Sequence, residues 1–106
     1  MGRGSLGEFE QLVLLACLRL GDEAYTVAIA DEITGRTGRD TSHAAVYIAL
    51  RRLEEKGLVG SALGESTPER GGRPKRFFRP TPEALPALHE ARAALLSMWE
   101  GLEGAG

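Results

Sequence analysis

Arg70, Arg73, Lys75 and Arg76 place four cations around the Gly71-Gly72 pair. A short basic loop of this kind suits contact with phosphate or entry into a minor groove. A second candidate set lies upstream. Ala44, Tyr47 and Arg51 are spaced three and four residues apart, which puts them on one face of a helix. Thr41, Ser42 and His43 lead into that helix, and its first turn, Ser42-His43-Ala44-Ala45, holds no carboxylate. Free backbone N–H groups and the helix dipole can meet an anion there without local repulsion. Small Ala44 lets the backbone approach a groove. Tyr47 can stack or donate to phosphate, and Arg51 can reach a base edge or a phosphate. Taken singly, Tyr47 could equally cover core and Arg51 could be a solvated charge. Their alignment favours contact with a polyanion.

Catalytic and metal chemistry find little support. Ser42 and His43 are adjacent, so a helix does not direct them at each other. His89 stands alone among acidic neighbours, and Gly71-Gly72-Arg73 lacks the spacing and the following helix of a phosphate-binding P-loop. Cys17 is the single cysteine, inside an apolar stretch, and reads as an inert core residue. No enzyme activity, metal or cofactor is expected.

The chain has 106 residues, enough for one small domain whose stability would gain from pairing with a second copy. Its 42% hydrophobic and 26% charged residues are ordinary globular composition. The apolar run Leu12–Leu18 is too short to span a bilayer. No secretory leader pattern is visible, and Leu6 replaces the Ser or Thr of a myristoylation motif. A soluble, cytoplasmic protein is expected. The net charge of −2 hides an uneven distribution. Residues 1–34 carry 2 basic and 6 acidic side chains, residues 35–79 carry 10 and 5, and residues 80–106 carry 1 and 4. A basic middle between acidic ends marks a local anion-binding face.

The elements that position these residues follow from capping signals and periodicity. Ser5 and Glu8 form a Ser-x-x-Glu capping pattern opening a first helix, which Gly21 stops. Leu6, Phe9, Leu12, Val13, Ala16 and Leu20 share one face of it, while Leu14, Leu15 and Leu18 share the other. Thr26 is expected to cap a second helix, ended by Gly35 and Gly38. Ser42 caps a third, running to about Lys56 with Gly57 as its stop and Ala45, Val46, Ala49, Leu50 and Leu53 as its core stripe. Residues 58–63 and 75–79 read as two strands around a turn-rich tip, with one of Phe77 and Phe78 anchoring the hairpin to the core. Thr81-Pro82 opens a last helix whose first turns Pro86 should disturb. The fold expected is mainly α with a small β-hairpin: a winged helix-turn-helix domain over residues 5–80, then a dimerisation helix over residues 81–103. That last helix carries a stripe of Leu85, Leu88, Leu95, Trp99 and Leu102, which needs a cover. Leu14, Leu15 and Leu18 of a second copy can supply it across a two-fold axis; the alternative is that the helix folds back on its own domain.

Four stretches carry a family resemblance over almost the whole chain, from about Leu6 to Leu102. They are residues 20–25 (LGDEAY), 45–47 (AVY), 50–59 (LRRLEEKGLV) and 71–78 (GGRPKRFF). Together they resemble the PadR family of bacterial transcriptional regulators. The resemblance implies a homodimeric repressor whose third helix and wing touch operator DNA, with Tyr25 and Tyr47 near the phosphate backbone. It departs from the family at Ala44, where many members have glycine, and at Arg51, where an acidic or polar residue is common. In some members an aromatic residue on the last helix faces a ligand cavity between subunits. That suggests a planar aromatic effector contacting Trp99 and Arg92; the alternative is that Trp99 only packs in the interface and Arg92 snorkels outward. The alternative function is a winged-helix protein-interaction module that does not bind DNA. Such a module has little need for Arg70, Arg73, Lys75 and Arg76 together.

Overall fold

The computed structural model describes residues 5–64 and 74–104. Helix α1 spans Glu8–Leu20, and a 3₁₀ turn at Gly21–Glu23 leads to α2, Thr26–Thr37. Helix α3 spans His43–Glu55, strands β1 and β2 span Val59–Leu63 and Arg76–Pro80, and α4 spans Ala84–Trp99. The architecture is mainly α with one antiparallel hairpin, as expected.

Helix boundaries follow local chemistry. Ser42 caps α3, its Oγ accepting from the Ala45 N–H at 3.1 Å. Gly57 takes φ +76° just beyond the helix, a conformation that a side chain would strain. The cap of α1 is Gly7, not Ser5: the Glu10 carboxylate reaches back to the Gly7 N–H at 2.9 Å, half of a capping box formed two residues later than expected. In α2 the cap position is Tyr25, and Thr26 is the first helical residue. Thr81 does not cap α4 either; its hydroxyl donates to the Gly57 carbonyl at 2.7 Å, and α4 begins after Glu83. Pro86 therefore falls in the first turn of α4, where its missing N–H has no intrahelical acceptor to lose, so the helix runs on undisturbed.

The core is one cluster. Val13, Leu14, Ala16 and Cys17 of α1 meet Ile29, Ala30 and Ile33 of α2, and Val46, Ala49, Leu50 and Leu53 of α3. Leu58, Val59 and Phe78 close it from the hairpin side, so Phe78 is the wing's anchor. Ala45, expected in the α3 stripe, is exposed because the buried arc centres on Val46, Ala49, Leu50 and Leu53. Two assignments to the dimer seam are corrected. Leu14 is fully buried within this chain, since it sits one turn from Glu10 and three residues from Cys17, on the face that packs inward. Leu88 is also buried in the same core, beside Ala84.

Strand β2 pairs with β1 in the register Ser61↔Phe78 and Ala62↔Phe77. Its other edge receives a single bridge from Tyr25 to Phe77, and the Phe78 N–H donates to the Ala24 carbonyl at 2.8 Å. The wing is thereby pinned to the entry of α2. Gly64 ends β1 against Phe77; a Cβ there would lie 2.6 Å from the ring. Only the first turns of α4 pack on the core, and from Arg92 onward every described residue of the helix is exposed. The radius of gyration, 15.5 Å, exceeds the ~13 Å typical of a compact chain this long, consistent with a projecting helix.

Candidate nucleic-acid interface

Ser42, His43, Ala44, Tyr47 and Arg51 are all exposed on α3, and Thr41 is half-buried just before it. Arg51 donates through Nη1 to the Tyr47 hydroxyl at 3.2 Å, with its guanidinium carbon 6.0 Å from the ring centroid. The hydrogen bond with Tyr47, with the Glu54 and Glu55 carboxylates nearby, pushes the Arg51 pKa further up. Arg51 also lies 3.8 Å from Glu54. An exposed pair of this kind is worth little in water. Tyr47 and Arg51 thus form one polar unit on the outer face of the helix.

The wing adds a second unit. The Lys75 ammonium sits 3.6 Å over the Tyr25 ring, and the Phe77 ring meets Tyr25 edge-on at 5.7 Å. Tyr25 therefore holds a cation of the hairpin beside the start of α2. Arg76 donates to the Ser61 hydroxyl at 3.0 Å, and Ser61 donates to Glu54 at 2.9 Å. This chain of bonds links the returning strand to the end of α3. Arg70 and Arg73 lie outside the described residues.

Behind this surface, the pair Glu10–Lys56 ties α1 to the end of α3. Lys56 Nζ donates to Glu10 at 2.7 Å and to the Ser5 carbonyl at 3.0 Å. Burial raises the Glu10 pKa, but the hydrogen bonds from Lys56 and the Gly7 N–H, with the charges of Lys56 and Arg52, outweigh it and hold it below the usual carboxylate range. Sequence reasoning missed this pair because its partners are 46 residues apart. It also assigned no role to Ile48, although its place beside Ala44 and Arg51 on the helical wheel was readable.

The apolar surface expected to pair with a second copy is present in part. Leu15 and Leu18 of α1 and Leu85, Leu95, Trp99 and Leu102 are exposed. Leu96 and Met98, not foreseen, are exposed with them, Met98 at 76%. Arg92 is exposed one turn before Leu95 and Leu96. Cys17 is fully buried, and burial pushes its thiol up to about 12, so it is not a nucleophile at neutral pH. Among the described residues no His, Cys, Asp and Glu group could hold a metal ion, and no helix is long and apolar enough to cross a membrane.

Three helices, a two-stranded wing docked beside the third, and a projecting fourth helix define a winged helix-turn-helix protein. The family model described as the transcriptional regulator PadR-like family matches residues 14–89, and the chain belongs to that family. It is a family of transcriptional regulators, not of enzymes. Among solved structures, the chain is similar to a PadR family transcriptional regulator from Eggerthella lenta DSM 2243, with 28% identity, TM-score 0.69, and coverage of 90% of this chain and 82% of that one. It shares its fold with a transcriptional regulator from Clostridium thermocellum at 22% identity and TM-score 0.72, covering 86% and 85% of the two chains. It also shares it with a PadR-like transcription factor from Bacteroides fragilis at 22% identity and TM-score 0.71, covering 92% and 89%. The comparison with curated proteins gave no match.

Proposed function

We propose that this regulator binds operator DNA as a homodimer and represses transcription. Residues 5–80 form the DNA-binding unit and residues 81–103 hold the dimer. Helix α3 enters the major groove through Ala44, Tyr47 and Arg51, with Thr41, Ser42 and His43 at its approach. The wing, through Lys75, Arg76, Arg70 and Arg73, holds phosphates. The observation that carries this reading is the joined cationic surface: Arg51 on Tyr47, and Lys75 on Tyr25, with Arg76 bonded through Ser61 to the end of α3. The dimer reading is supported by the bare apolar side chains of α1 and α4; of these, Leu95 also borders an open groove of about 1070 Å³ whose lining is mixed, with Leu6, Leu58, Pro86 and Ala91 beside Glu8, Gln11, Glu83 and Glu90. Leu15, Leu18, Leu85, Leu95, Trp99 and Leu102 are available to a second copy, together with Leu96 and Met98. In the same reading, a planar aromatic effector would stack on Trp99 near Arg92 between the subunits and release the DNA.

The test is fluorescence anisotropy with the DNA upstream of the protein's own gene and an unrelated fragment of equal length. Preferential binding of the upstream fragment as a dimer supports the reading. Equal or absent binding to both fragments directs attention to the protein-interaction alternative.

A further inference from the structure

The outer face of α3 holds an apolar side chain that the fold does not use. Val46, Ala49, Leu50 and Leu53 are the buried stripe. At about 100° per residue, Ile48 lies about 150° around the helix from the centre of that stripe. It is 53% exposed. Its neighbours one turn away are Ala44 and Ala45 on one side and Arg51 and Arg52 on the other, all exposed. Ile48 is thus a branched apolar knob with two methyl groups before it and two guanidinium groups after it. Residues 41–53 contain no carboxylate; Asp40 and Glu54 bound the stretch. A surface with cations around one apolar side chain is complementary to a polyanion that carries an apolar feature of its own. An apolar protein partner would leave Arg51 and Arg52 to be desolvated. In the DNA major groove the apolar feature is the C5-methyl group of thymine, on a floor otherwise lined by hydrogen-bonding edges.

We propose that Ile48 reads thymine. Its side chain packs on a thymine C5-methyl in the major groove while Arg51 and Arg52 hold the flanking edges and phosphates. A thymine in each half-site is then a specificity position set by an apolar contact. This rests on the DNA-binding reading of α3 and names what that face recognises.

The test starts from a duplex that the protein enriches from a random-sequence pool. Each thymine is replaced in turn by deoxyuridine, which deletes the methyl group and leaves every hydrogen-bonding group in place. The wild-type chain is expected to bind about four-fold more weakly for each contacted methyl removed, the equivalent of about 0.8 kcal/mol. Ile48→Ala removes an exposed side chain and should unfold at the wild-type temperature. It should bind the thymine duplex more weakly and be indifferent to the same deoxyuridine. If no thymine is sensitive, or Ile48→Ala keeps the full wild-type sensitivity, the assignment of Ile48 is overturned while DNA binding stands. If no sequence is enriched and no complex forms, the DNA-binding reading falls and this inference with it.

Discussion

Replacing Lys56 by methionine keeps the length and apolar stem of the side chain and removes its charge. In the native chain Lys56 Nζ is 2.7 Å from Glu10 and 3.0 Å from the Ser5 carbonyl, and Glu10 is 8% exposed. The variant leaves a nearly buried carboxylate with only the Gly7 N–H as partner. Breaking such a pair from one side costs about 3 kcal/mol. For a domain with a total stability of ~5–15 kcal/mol this is a large fraction, and it should lower Tm by more than ~10 °C. The destabilisation must also depend on pH. Because the folded-state pKa of Glu10 is lowered, its stabilising contribution is fully present above the unfolded carboxylate range and is lost as pH falls through the folded value. Without Lys56 the largest lowering influence on Glu10 is gone while its burial remains, so the variant loses less stability than the native chain as pH falls. Urea unfolding of both proteins at pH 7 and below pH ~4 measures the difference. The gap should be widest at pH 7 and narrow in acid. A gap under ~0.5 kcal/mol at pH 7, or one that does not change with pH, would show that the clasp does not hold α1 to α3.

Phe78→Ala should destabilise the fold by about 3–5 kcal/mol, read by thermal unfolding, because it empties the wing's only fully buried aromatic position among the described residues. Arg51→Ala should change preference among operator variants on the order of ten-fold if Arg51 reads a base edge; a uniform weakening across variants would reassign it to phosphate. Trp99→Glu together with Leu95→Glu should give monomers in sedimentation and weaken operator binding steeply, since two linked half-sites act at high effective concentration. Titrating planar aromatic compounds should quench Trp99 emission and lower operator affinity together; quenching with unchanged affinity would contradict a ligand switch there.

Much of the fold was legible because its signals are local. The Ser42 cap, the Gly57 stop and the Val46-to-Leu53 stripe each depend on residues within one or two turns. The hairpin could be read from its turn residues, and one of Phe77 and Phe78 had to anchor it; that the anchor is Phe78 emerges only from the docked strand. The errors come from competition that a single stretch of sequence does not reveal. Ser5 yielded the start of α1 to Gly7 because Glu10 is held by both Gly7 and a distant Lys56. Leu14 reads as an outer-face residue because the wheel of α1 is apolar nearly all round, and only the positions of α2 and α3 decide which arc is inside. Thr81 was drawn from capping duty by the Gly57 carbonyl, and that later start of α4 made Pro86 harmless. In the candidate interface, the residue types and the face of α3 were readable. The Tyr25–Lys75 stack and the Arg76–Ser61–Glu54 chain were not, since they exist only once the wing has docked.

In the proposed complex the joined surface of α3 and the wing grips a duplex through its phosphates. The slope of log Kobs against log salt for operator binding tests this most directly. A linear fall steeper than about −3 is expected, and Lys75→Ala should make it shallower by about one for each phosphate that Lys75 neutralises. A slope near zero, unchanged in Lys75→Ala, would contradict the phosphate grip.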